Sequence, residues 1–199
     1  MGGGKPVSFM VQDEWFDLLR QAEPSHEVNY HLAINWYYRK DYERAEALVG
    51  DSDAWDLQLK ANILRASGRL QASAKVFERA MQNNVKLTVE AFKTMREAGE
   101  YQLIVANAEY AKVAPMAEFL LADALAHTGK LEEAEELLAH LDIPDIREGE
   151  ISVSELYVYI QMQKAAKGGT RLCAEDIDIP YQFDFRMTQK RPENFNRRK

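Results

Sequence analysis

The chain has 199 residues, with 25 Lys and Arg against 32 Asp and Glu, a net charge of −7. Hydrophobic residues at 46% and charged residues at 29% exclude a wholly disordered chain, and 10 Gly with 6 Pro exclude a collagen-like or linker-dominated one. The acidic balance argues against a protein that coats nucleic acid over its whole surface, and no nucleic-acid partner is expected.

Residues 1–24 form an N-terminal segment in which DEWFDLLRQA (13–22) predicts a short amphipathic capping helix. The opening MGGGKP departs from a myristoylation start, because Pro6 stands where Ser or Thr is wanted. No stretch has the apolar length of a signal peptide core or a membrane span, so no membrane partner is expected. From Asp13 to about Lys167 the strong helix formers Leu, Ala, Glu, Lys, Arg and Gln dominate. Val and Ile do not alternate in turn-bounded runs, so an all-α fold is predicted. Pro24, Pro115 and Pro144 fall at breaks.

Turn residues recur at a near-constant interval. Gly68, Gly99 and Gly129 are 31 and 30 residues apart, and Lys40 in RKDY stands 28 residues before Gly68. Seven residues before each turn come Ala33, Ala61, Phe92 and Ala122; five after come Ala45, Ser73, Ile104 and Ala134. Large residues follow two after each turn, at Tyr42, Leu70, Tyr101 and Leu131. Small residues let paired helices approach closely, and large ones fill the gaps between pairs. A period near 30 predicts about four stacked antiparallel hairpins over 25–142.

Residues 143–168 are read as a C-terminal capping helix, with Ser152 and Glu155 as a capping box and Gly168-Gly169 as its stop. Residues 169–199 are read as an extended tail. In it CAEDIDIPYQFDF (173–185) places Ile177, Ile179, Tyr181 and Phe183 on one side, and 186–199 carry six basic residues and one acid. Cys173 is the only cysteine, so no internal disulfide forms, which fits a reducing, cytoplasmic setting.

Signatures of catalysis are sparse. His26 and His31 are five apart, not the four that puts two zinc ligands on one helical face. Thr128-Gly129-Lys130-Leu131 lacks the preceding glycine and the Ser/Thr of a phosphate loop, and no Gly-rich dinucleotide loop exists. Neither an enzyme activity nor a cofactor or metal is expected.

The stretches LAINWYYRKDYERAEALV (32–49), NILRASGRLQASAKVFERA (62–80) and LADALAHTGKLEEAEELLAHL (121–141) resemble the tetratricopeptide repeat family. The third unit, AFKTMREAGEYQLIVANAEYA, departs from the pattern, with Phe92 and Ile104 where the family has small residues. The resemblance implies a right-handed superhelix whose concave groove is lined by the first helix of each hairpin. It assigns Tyr30, Ile34, Tyr37 and Tyr38 from the first repeat, and Trp55, Asn62 and Arg65 from the second. Lys93 and Arg96 follow from the third, Phe119 and Asp123 from the fourth. That is an aromatic end beside a basic middle, suited to an acidic, aromatic protein or peptide segment. The tail's own EDIDIPYQFDF (175–185) has that character, and it either fills the groove or covers the last helix. The chaperone-tail variant is disfavoured, since Ile34 follows Ala33 where that clamp needs Asn. IPDIREGEIS (143–152) and DFRM (184–187) resemble, more weakly, the C-terminal repeat region of large bacterial proteins associated with carbohydrate use. That resemblance implies an accessory module as the alternative function, and exposed end helices imply a homo-oligomer as a third.

Overall fold

Lys40, Gly68, Gly99 and Gly129 all adopt left-handed backbone, at φ of 63°, 81°, 74° and 83°, in the computed structural model of the chain. Two hydrogen bonds close the helix before each of them. The amide of the left-handed residue donates three residues back and the next amide five residues back, as in Gly68 N to Arg65 O (3.0 Å) and Arg69 N to Leu64 O (2.9 Å). The same pair recurs as Lys40 to Tyr37 with Asp41 to Trp36, Gly99 to Arg96 with Glu100 to Met95, and Gly129 to Ala126 with Lys130 to Leu125. This double bond satisfies carbonyls that a helix end otherwise leaves open. A side chain in left-handed backbone costs about 1–2 kcal/mol, which glycine avoids and Lys40 bears. The repeat seen in the sequence is thus a repeat of one turn geometry.

The structure describes residues 11–141, 153–180 and 183, and they are all-helical, with no β-strand among them. They fall into two compact units, divided between Glu100 and Tyr101. The first holds α1 (Asp13–Gln21), α2 (His26–Tyr38), α3 (Tyr42–Leu48), α4 (Ala54–Ala66), α5 (Leu70–Asn83) and α6 (Thr88–Glu97). Ser25, Asp41 and Asp53 cap α2, α3 and α4 by accepting from first-turn amides. Each helix packs on its successor, and α2 also meets α4. Ala33 and Ala45 are fully buried in the α2/α3 hairpin, and Ala61 is fully buried in α4, where its carbonyl accepts a 2.7 Å bond from the buried Ser73 hydroxyl of α5. The small residues therefore stand where helices touch.

The second unit holds α7 (Tyr101–Ala106), a 3₁₀ stretch (Ala108–Val113), α8 (Pro115–His127), α9 (Leu131–His140) and α10 (Val153–Lys167). The stretch AFKTMREAGEYQLIVANAEYA is irregular here: α7 is short, and the buried Asn107 side chain bonds the Leu103 carbonyl at 2.9 Å where the helix tightens to 3₁₀. Pro115 opens α8 at a position where its missing N–H costs nothing. α8 packs against α7, α9 and α10, with Ala122, Ala134, Leu138 and Ile160 fully buried.

The tail is not extended throughout. A 3₁₀ turn at Ala174–Asp176 interrupts it, with the Cys173 amide donating to the Asp176 carboxylate. Of the side chains expected on one face, Ile177 and Ile179 are half-buried and Phe183 is buried, its ring 5.5 Å from that of Tyr157. This part of the tail lies against α10. Tyr181, all of IPDIREGEIS with Ser152, DFRM, MGGGKP and the basic end 186–199 lie outside the described residues.

Candidate partner-binding face

Two rungs join α4 to α6. Gln58 Nε2 donates to Glu90 Oε2 at 2.9 Å, and Arg65 Nε donates to Glu97 Oε2 at 2.6 Å. Both rungs span 32 residues, and the second lies two turns beyond the first on each helix. Only parallel, in-register helices give equal offsets. A third link, His26 Nε2 to Asp56 Oδ2 at 2.8 Å, joins the first turns of α2 and α4. The first helices of these hairpins thus stand side by side and run the same way.

The expected groove residues do not share one environment on this row. Trp55 and Tyr38 are exposed, at 49% and 66%, as are Arg65 and Lys93, while Asn62 and Arg96 are half-buried. Tyr37 is half-buried and packs 6.1 Å from the Tyr42 ring. Tyr30 and Ile34, by contrast, belong to the buried cluster of Ala33, Ala45, Val49, Leu59 and Ile63. In α2 the run YHLAINWYY is apolar all round, so residue type alone does not tell its inner stripe from its outer one. Phe119 and Asp123 are likewise buried, in an α8 whose sides are nearly all apolar. None of these four presents its side chain to solvent.

The aromatic end also divides. Trp55 adjoins Asp56, which touches His26 at the start of α2, whereas Tyr38 is at the other end of α2, about 18 Å away at 1.5 Å per residue. The basic middle is partly neutralised, because Arg65 is paired with Glu97.

Two arrangements were not anticipated from the sequence. In the first unit the Asp56 side chain is fully buried and its Oδ2 accepts from the Ser52 hydroxyl (2.6 Å), the Ser52 amide (3.2 Å) and His26. Burial by itself raises the Asp56 carboxyl, but the hydrogen bonds from Ser52 and His26 outweigh it and hold the group below the usual carboxylate range. Nearby Tyr30 is pushed up to about 12, first by burial and then by the negative charges of Asp56 and Asp53. Gly50 is needed here, since a Cβ on it would stand 2.9 Å from Asp56 Oδ2. The trio is not a nucleophilic triad. Ser52 and Asp56 both meet the same nitrogen of His26, whereas a triad uses one ring nitrogen for each. It is a latch between α2, the α3–α4 loop and α4.

In the second unit His127 is sandwiched between Tyr101 and Tyr159, with ring centroids at 4.3 and 4.7 Å and planes within 8° and 14° of parallel. Its Nδ1 lies 2.9 Å from the Asp123 carbonyl. The three residues come from α7, α8 and α10, at separations no short motif encodes. Glu135 of α9 accepts from Lys164 and Gln161 of α10; chiefly the Lys164 bond keeps its carboxyl below the usual range. Among the described residues no group of three or more His, Cys, Asp or Glu is placed to hold a metal ion, and no helix is long and apolar enough to cross a membrane.

No family model, curated protein or solved structure matches the chain.

Proposed function

We propose that the protein is a non-catalytic, tetratricopeptide-repeat-like scaffold. In this reading its hairpins stack into a right-handed superhelix, and the exposed row of first helices holds a protein or peptide segment. The observation that carries the proposal is the pair of rungs of equal offset between α4 and α6, joined to the recurrent turn. Parallel first helices leave a continuous ribbed face, and a preformed face binds with little rearrangement.

Trp55 offers that face an exposed ring, Asn62 an amide, and Lys93 and Arg96 positive charge. An acidic segment with an aromatic residue matches this set. The reading excludes Tyr30, Ile34, Phe119 and Asp123 as contacts, because their side chains are buried.

The test is titration of an acidic-aromatic peptide with the sequence of residues 175–185 into the intact chain and into Lys93→Glu. The charge reversal is expected to weaken binding roughly tenfold and to flatten its salt dependence. Unchanged affinity in Lys93→Glu, with the far-ultraviolet spectrum intact, would place the partner elsewhere.

A further inference from the structure

Lys86, Glu90, Lys93 and Glu97 alternate in charge at spacings of four, three and four residues. They fall on one side of α6 and of the 3₁₀ turn (Val85–Leu87) that leads into it. Such a stripe holds a partner for each of its own charges. The structure does not close it that way. Glu90 turns to Gln58 Nε2, and Glu97 turns to the Arg65 guanidinium, so α4 takes both acids. Lys86 and Lys93 are exposed, and neither side chain has a hydrogen-bond or ion-pair partner among the described residues. The cations of the stripe are left open because its acids are engaged by the neighbouring helix.

We infer that Lys86 and Lys93 form a two-point anchor for an extended partner segment with carboxylates three residues apart. Gln58 and Arg65 are its positioning residues, holding Glu90 and Glu97 away from the lysines. The inference rests on the first-helix reading and specifies its partner. The lysines are seven residues apart, about 10 Å at 1.5 Å per residue. In an extended polyproline II segment, residues three apart fall on one side and about 9 Å apart. Two acids at that interval therefore meet both lysines, and the first contact raises the effective concentration of the second. The flexible four-carbon stems of the lysines absorb the small mismatch. Glu175 and Asp178, in the acidic-aromatic stretch 175–185, have this spacing. Without α4, Glu90 and Glu97 would lie three and four residues from Lys93, the spacing at which side chains pair on a helix, and would compete with the partner's carboxylates.

The probes are two Gly/Ser-based peptides of equal composition, each with one Trp and two Asp, the acids three residues apart in one and adjacent in the other. At low salt the first is expected to bind the intact chain at least about fivefold tighter. Gln58→Ala should weaken that peptide about twofold by releasing Glu90 onto Lys93, and should have no effect in a Glu90→Gln background. Trace acylation of lysine amines, read by mass spectrometry, reports the same event without a ligand. Lys93 labelling should fall about twofold in Gln58→Ala and recover when Glu90→Gln is added. Far-ultraviolet spectra are expected to be unchanged in each variant. Equal affinity of the two peptides overturns the two-point anchor. Lys93 labelling that ignores Gln58→Ala overturns the positioning role. So does a loss of affinity that persists in the Glu90→Gln background, because Gln58 would then touch the peptide itself. If labelling responds as expected while Lys93→Glu changes neither peptide's affinity, the first-helix reading fails and the anchor falls with it.

Discussion

Ala61→Leu and Ala122→Leu are each expected to destabilise the protein by roughly 1–3 kcal/mol or more. Both residues are fully buried. Ala61 sits where α4 meets α5, and its carbonyl already accepts the Ser73 hydroxyl at 2.7 Å. A longer side chain there must either leave its preferred rotamers or push α5 away and break that bond. Ala122 lies in an α8 that packs on both α9 and α10, so the added atoms have no open side to move into. For a chain of this length such a loss lowers Tm by several degrees. Thermal unfolding followed by circular dichroism checks it, with the exposed Ala72→Leu as the control expected to change little. Equal melting of all three variants would mean that the small residues do not set the helix spacing.

Asp56→Ala should cost about 2–4 kcal/mol at neutral pH, because it strands the Ser52 hydroxyl and amide and the His26 ring together. The effect carries a pH signature. The Asp56 carboxyl is held below its ordinary value, so its contribution is present above the usual aspartate range near pH 4 and is lost as pH falls through the lowered native value. The wild type should therefore lose stability on acidification over that window, and Asp56→Asn should show a shallower slope. A wild type and an Asp56→Asn variant with parallel stability profiles below about pH 5 would show that the latch carries no linked proton.

The repeating turn was legible because it rests on local chemistry. A left-handed residue at the end of a helix calls for Gly, and three of the four turns have it; Lys40 was recognised only through its spacing from Gly68. The small-residue positions were legible for the same reason, since a close helix crossing admits only small side chains. Solvent exposure was less legible. Tyr30 and Tyr38 are two turns apart on one helix and of one residue type, yet one is 5% and the other 66% exposed. What decides is whether α4's Leu59 and Ile63 come to lie against them, which is a tertiary fact. The His26–Ser52–Asp56 latch and the Tyr101–His127–Tyr159 stack were hidden for a similar reason. His26 lies 26 and 30 residues from Ser52 and Asp56, His127 lies 26 and 32 from Tyr101 and Tyr159, and each residue taken singly reads as a surface or capping group. The rungs Gln58–Glu90 and Arg65–Glu97 show the converse. Had the period been used to align the first helices, an offset near 32 would have paired opposite or complementary groups twice.

The most direct measurement is an amide chemical-shift map of the isotopically labelled chain during titration with the residue 175–185 peptide. If the row of first helices is the partner-binding face, the perturbed amides should cluster on α4 and α6 around Trp55, Asn62 and Lys93, leaving α10 unmoved. Perturbations confined to α10, or none at saturating peptide, would contradict a scaffold that binds through its first helices.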